Sequence, residues 1–339
     1  MRQRDAACDY IRGTAMMTII LCHFFQIRHQ YAAFSWLNIG VQVFFVLSAK
    51  LLSKKDITTG AQALTFYKTR LLRIFLPVWL YLLCLVPVLF LVGRGPTLSA
   101  MLLYTAGLAG FAPSGILGLG HFWYITALLL CYLVTPLLNR IDQVARGASP
   151  LKGLLLKTAP VAAAVLIFAM TPLAYFGVNV SLFIIAFFCF RTWNDKPDWS
   201  WTLTLRLLPF ALAAIGVRLY LDGMAEPNPQ LYELGSTAAK AVLGMFLFAL
   251  LYLLFSRFGE KTAARGITTL SNVSYEVYIV HQFILLALYE YVPFFRGEGA
   301  LNGLAMLVAA LLLIAGNTAV LYTAKIKIEC GLRQRLHRE

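Results

Sequence analysis

Arg12 and His23 stand eleven positions apart in a stretch that opens Asp9-Tyr10-Ile11-Arg12-Gly13 and continues through apolar residues. Eleven residues are close to three helical turns, so on a helix the two side chains share a face, about 16 Å apart along the axis. A neutral imidazole accepts a proton at near-physiological pH, so His23 can serve as a general base, and a ring nitrogen can also carry an acyl group. Arg12, at the mouth of such a helix, suits an anionic ligand, and Asp9, three residues earlier, can orient it. Each residue has a plainer role open to it. Arg12 can snorkel to the headgroups as a topology anchor, and His23 can bond a neighbouring helix. An ionisable ring inside an apolar helix is nonetheless costly to bury and is read first as functional.

Three further stretches could meet that pair. Arg70 and Arg73 lie three apart in Tyr67-Lys68-Thr69-Arg70-Leu71-Leu72-Arg73, so they share a helix face, and their guanidinium forks fit phosphate oxygens. They equally fit an ordinary basic cluster flanking a membrane helix. His281 closes Ser274-Tyr275-Glu276-Val277-Tyr278-Ile279-Val280-His281, about two turns into a helix that begins near 274. It is a second catalytic candidate beside His23 and Asp9, or a satisfied core histidine. His121 and Trp123, in Gly120-His121-Phe122-Trp123-Tyr124, enter a helix from the opposite side. They could contact an acceptor substrate there, or form part of an interfacial aromatic belt. No His, Cys or carboxylate spacing suggests a metal site, and the six cysteines contain no CxxC pair.

These residues must be positioned by membrane helices. The chain has 339 residues, of which 60% are hydrophobic and 13% charged, and its mean hydropathy is +0.74. A soluble core cannot hide that much apolar surface, so the class is all-α, polytopic and integral to the membrane. Ten apolar segments are expected, at 9–28, 36–53, 71–93, 121–139, 154–176, 178–192, 202–221, 237–256, 274–294 and 300–323, within one transmembrane domain spanning 1–339. The Gly-rich stretch 97–119, with Pro113, reads as a re-entrant or interfacial segment. The net charge of +14 comes from short clusters between apolar runs, which speaks for topology and against nucleic acid. Arg2 and Arg4, the run from Lys50 to Arg73, Arg140 to Lys157, Arg191 with Lys196 and Arg206, Arg257 to Arg265, and Lys325 to Arg338 mark one side. Only Arg28, Arg94, Arg218, Lys240 and Arg296 mark the other. With ten helices, both termini fall in the cytoplasm.

Taken together the motifs resemble the membrane acyltransferase-3 family. Asp9-x-x-Arg12-Gly13 with ten residues between Arg12 and His23 is similar to its opening. Asn38-Ile39-Gly40-Val41-Gln42-Val43-Phe44-Phe45-Val46-Leu47-Ser48, the Arg-x-x-Arg of Arg70 and Arg73, and Tyr278-Ile279-Val280-His281 follow in the family's order. Phe122-Trp123-Tyr124-Ile125-Thr126-Ala127-Leu128 through Thr135-Pro136 looks most like the branch that acetylates surface polysaccharides such as enterobacterial common antigen. Ala49 stands where members usually carry Gly, and Thr126 and Ala127 stand where many carry a glutamate. The resemblance is to the stand-alone form, without an esterase-like domain after the last helix.

The resemblance implies a multi-pass enzyme of the bacterial inner membrane. It would take acetyl groups from cytoplasmic acetyl-CoA, without a metal, and pass them to a hydroxyl of a lipid-linked or cell-surface glycan. Arg12, Arg70 and Arg73 would receive the CoA phosphates. The competing class is a glycan transporter or flippase, which would also bury Arg and His among ten helices.

Overall fold

The structure is a computed structural model that describes residues 5–30, 34–112, 114–169, 173–193, 199–224, 228–257 and 264–336. Expectations placed on Arg2, Arg4, Pro113, residues 170–172, Lys196, Lys261 and Arg338 lie outside the described residues, as do the side chains of Arg333 and Arg335.

The helices are α1 (Ala6–Ile27), α2 (Gly40–Ser53), α3 (Gly60–Leu91), α4 (Leu98–Thr105), α5 (Trp123–Arg146), α6 (Pro150–Ala169), α7 (Ala174–Trp193), α8 (Trp199–Asp222), α9 (Pro229–Arg257), α10 (Arg265–Tyr291) and α11 (Ala300–Leu336). Short 3₁₀ turns precede α2 (Ser35–Ile39) and α5 (Gly120–Phe122). Among the described residues there is no strand. Among the described residues eight helices, all but α1, α4 and α10, are long and apolar enough to cross a bilayer, α2 and α5 counting their leading turns. Apolar side chains face outward on them: Leu83 is 73% exposed and Leu91 87%. Such surface is stable only against hydrocarbon, so the chain is an all-α polytopic membrane protein. α4 is simply short. α1 and α10 fall outside the eight because they carry polar residues, Asp9, Arg12, His23 and Gln26 on one and Asn272, Glu276, His281 and Gln282 on the other.

Helix ends follow local chemistry that hydropathy alone does not read. α3 starts at Gly60, eleven residues before the apolar segment, because Thr59 and Gln62 form a capping box. The Thr59 hydroxyl accepts from the Gln62 N–H at 3.3 Å, and Gln62 Oε1 accepts from the Thr58 and Thr59 N–H groups at 2.8 and 3.3 Å. Asn228 caps α9 by accepting from the Gln230 and Leu231 N–H groups at 3.0 and 3.1 Å. Pro77 and Pro87 lie within α3 and Pro136 within α5, a use of proline that membrane helices tolerate.

The chain divides into two compact units. The first comprises Met1–Ala15, Asn38–Tyr67 and Ala127–Thr268. In it α2, α7 and α9 pack against one another, α6 against α7 and α8 against α9. Gly244 lets α9 approach α2 so closely that an added Cβ would collide with the Gln42 side chain. Buried Asp142 on α5 accepts from Arg191 Nε of α7 at 2.9 Å, from Lys157 of α6 at 3.1 Å and from Arg146 at 2.6 Å. Arg191 also reaches Asp56 at 2.7 Å and the Ser53 carbonyl at 3.0 Å. The buried Lys50 ammonium lies 4.4 Å from the ring centres of both Trp199 and Tyr252, a cation–π setting.

The second unit comprises Met16–Leu37, Lys68–Thr126 and Thr269–Glu339. Glu276 of α10, fully buried, pairs with Lys325 of α11. Arg28 closes the end of α1 by donating to the Phe295 and Gly297 carbonyls, both at 2.9 Å. Three basic residues on the sparsely charged side thus have structural partners. Arg28 has these carbonyls, Arg296 donates to the carbonyls of Tyr289 and Glu290, and Arg218 in the first unit bonds Asp222 and Ser236.

The charge alternation makes a prediction about orientation. Gln230 should be labelled from outside when replaced by cysteine, and Lys55 should not, in a background lacking the exposed Cys84 and Cys330. Gln230 is chosen because a change at Asn228 would remove the α9 cap. Labelling of position 55 with protection of 230 in intact cells would invert the topology.

Candidate active site

Three of the five histidines meet within the second unit, brought there by three elements. His23 lies 17 residues after the start of α1, about 26 Å along its axis. His281 lies 16 residues into α10, about 24 Å along, deeper than a helix starting at 274 would put it. His121 sits in the 3₁₀ turn before α5. The ring centres are 5.2 Å apart for His23 and His281, 6.1 Å for His23 and His121, and 4.7 Å for His121 and His281.

The segment 97–119 delivers His121. Thr97 caps α4 by accepting from the Ala100 N–H at 3.3 Å. Beyond the end of α4, the Thr126 hydroxyl of α5 donates to the Gly107 carbonyl at 2.8 Å and accepts from the Gly110 N–H at 2.9 Å. That buried hydroxyl pins the loop to α5. Gly118 then turns the chain at a φ of +70°, with its backbone against Phe283 of α10, and a Cβ there would lie 2.8 Å from the Phe283 Cα. Only glycine meets both demands at once.

Two residues on successive turns of α10, Tyr278 and Gln282, hold the rings. The Tyr278 carbonyl lies 2.7 Å from His121 Nε2 and 2.7 Å from His281 Nδ1, and its hydroxyl donates to the His121 carbonyl. Gln282 Oε1 accepts from the His121 backbone N–H at 3.0 Å and lies 2.5 Å from His121 Nδ1. The Gln282 Nε2 lies 3.5 Å from His23 Nδ1, and Gln26 Oε1 lies 3.0 Å from the same atom. His281 is fully buried. Its Nδ1 donates to a carbonyl, which leaves Nε2 as the lone-pair nitrogen of the neutral ring, and that atom has no hydrogen-bond partner among the described residues. His23 is half-buried. The cluster therefore offers proton-accepting nitrogens in a dry setting next to a partly open one, the equipment of proton transfer at a reacting hydroxyl. Among the described residues no group of His, Cys, Asp or Glu is arranged to hold a metal.

The other residues singled out in the sequence fall elsewhere. Asp9 is buried and pairs with Arg12 at 3.8 Å in the first unit. Arg70, half-buried, and Arg73, exposed, lie on α3 in the second unit. Trp123 is half-buried at the start of α5 and packs edge-on to Tyr124, while its neighbour His121 turns into the cluster. The sequence reading set His121 apart from His23, on the acceptor side; the structure puts the two rings in one cluster. Gln282 stands outside the motifs quoted from the sequence, and Tyr278 enters them only within the stretch that closes on His281. Their spacing puts Tyr278, His281 and Gln282 on one side of a helix, but it does not show what the Gln282 amide faces.

A family model described as an acyltransferase domain, acyltransferase-3, matches residues 5–323. The chain belongs to the acyltransferase-3 family. The match covers both units and every element that carries a cluster histidine, so this acyltransferase-3 protein is a membrane acyltransferase. No curated protein and no solved structure matches it.

Proposed function

We propose that this acyltransferase-3 protein moves an acetyl group from cytoplasmic acetyl-CoA to a hydroxyl of a lipid-linked or cell-surface glycan, in the inner membrane of a bacterium. The observation that carries the proposal is the histidine cluster, His23 with His281 and His121, the first two on helices whose insertion needs no such groups. The hydroxyl oxygen attacks the thioester carbonyl, the C–O bond forms and the C–S bond breaks. His23 takes the hydroxyl proton and returns it to the departing thiolate, or carries the acyl group itself in two such steps. The family membership supports acyl transfer over the flippase alternative. The resemblance to surface-polysaccharide acetyltransferases supports a glycan acceptor. Transfer of labelled acetyl from acetyl-CoA into the glycan fraction of isolated membranes tests the whole proposal. Glycan export without such transfer would establish the flippase instead.

Donor binding falls to Arg70 and Arg73 of the second unit in this proposal, on the cytoplasmic side given by the loop charges. Arg70→Ala or Arg73→Ala should each weaken acetyl-CoA binding by about 1.5–3 kcal/mol, the scale of a hydrogen bond to a charged group. Lysine should restore only part of it, because it lacks the fork. The larger effect is expected at half-buried Arg70, since exposed Arg73 is screened by solvent. Unchanged affinity in the purified double variant would leave both residues as topology anchors.

A further inference from the structure

We infer that Gln282 is a positioning residue that selects Nδ1 as the proton-accepting nitrogen of His23. This inference rests on the proposal that His23 performs the proton transfer. The His121 backbone N–H can only donate, and it meets the Gln282 side chain at 3.0 Å, so the end of the amide facing it is the oxygen. The amino end of the same amide is therefore the end that faces His23, 3.5 Å from Nδ1. An amino group can only donate. It favours the His23 ring that keeps a lone pair on Nδ1 and its proton on Nε2.

Gln26 also reaches Nδ1, at 3.0 Å, but it is exposed one turn further along α1 and can present either end of its amide. Gln282 cannot turn without setting an amino group against the His121 N–H. The other titratable groups facing His23 are His281 from α10 and His121 from the turn before α5, at ring-centre distances of 5.2 and 6.1 Å. At 3.5 Å the contact from Gln282 is long, so an incoming hydroxyl can replace it at Nδ1 with little loss. The amide thus keeps the lone pair aimed at the place of reaction while the site is empty and yields it when substrate arrives.

The variant that tests this is Q282E. It keeps an oxygen for the His121 N–H and replaces the donor facing Nδ1 with a carboxylate oxygen. Nδ1 would then hold a proton in place of its lone pair, and the charged ring would be favoured. With the full chain in isolated membranes, labelled acetyl transfer from acetyl-CoA into glycan is measured from about pH 5 to pH 8, the range where histidine titrates. Transfer at saturating acetyl-CoA should fall at least about tenfold, within the coupling seen between residues of one hydrogen-bond network, with the KM for acetyl-CoA unchanged. The acid limb of the profile should move up by about one pH unit or more, the effect of an adjacent charge. Q282M, which has neither donor nor charge, should lower transfer without moving the limb in that direction. H23A is measured alongside. If H23A transfers like the wild type, the assignment of the reaction to His23 fails. If H23A is inactive but Q282E keeps the wild-type profile, or loses yield and thermal stability with its acid limb unmoved, Gln282 is a packing residue and the inference is overturned.

Discussion

His23→Ala should insert, fold and bind acetyl-CoA, yet lose acetyl transfer by about 10² or more, the contribution of a general base. The ring stands on a helix that would insert better without it, so insertion does not explain it. It is half-buried beside two other imidazoles, and its Nδ1 is approached by two glutamine side chains, so its orientation is controlled. Its loss leaves a small space at a half-buried position and no unpaired charge, so folding should tolerate the change. The sign of the pH dependence follows from the chemistry: only the neutral ring accepts a proton, so wild-type transfer should fall as the medium is acidified. His281→Ala should cost less transfer than His23→Ala and more stability, because His281 is fully buried and bonded to the Tyr278 carbonyl. The measurement is acetyl incorporation at matched expression, with acetyl-CoA binding by the purified variant as the control. Near wild-type transfer by both His23→Ala and His23→Gln would remove His23 from the mechanism.

The second large effect is on stability and lies in the first unit. Asp142→Ala should destabilise that unit by about 3–5 kcal/mol, the cost of stranding one member of a buried ion pair. The magnitude rests on Arg191 alone. Arg146 is 58% exposed and Lys157 27%, so solvent takes over their share when the carboxylate is removed. The Arg191 side chain is only 8% exposed, and its other ionic partner, Asp56, is 71% exposed. Without Asp142 the buried Nε would keep no acceptor, while Nη1 would still reach Asp56 and the Ser53 carbonyl. Asp142→Asn keeps one acceptor oxygen and should lose less. Arg191→Lys should resemble Asp142→Ala, because an ammonium cannot reach Asp142, Asp56 and the Ser53 carbonyl from one planar group. Thermal unfolding of the purified protein in detergent reports the effect. A melting temperature for Asp142→Ala equal to that of the wild type would mean the network is solvated and contributes little.

The two predictions fall in different units. The first concerns chemistry in the second unit, and its variants should lose rate while keeping stability. The second concerns the polar anchor that ties α5, α6 and α7 together in the first unit, and its variants should lose stability before anything else.

By itself the amino-acid sequence determined the class of protein, because an apolar run about 20 residues long has few alternatives to a membrane helix. It also determined which residues were out of place. Arg12, His23 and His281 stand out because an ionisable group in such a run is expensive wherever the helix sits. The start of α3 was legible too, in Thr59-x-x-Gln62, but hydropathy reads only the part of a helix that lies in lipid and so begins it near 71. What the tertiary structure decided is the company these residues keep. His23, His121 and His281 are separated by 98 and 160 positions, and no periodicity connects residues on different helices. Their meeting depends on the 97–119 segment, held by Thr126 and turned by Gly118 against Phe283, which sequence reads only as a Gly-rich interruption. Asp142 was hidden for the same reason: at the polar end of an apolar helix it looks solvated, and only the approach of Arg191 from α7 makes it a buried partner. Gln282 carries no sequence signal of its role, because the choice of which amide end faces which histidine is made by a backbone N–H on another element.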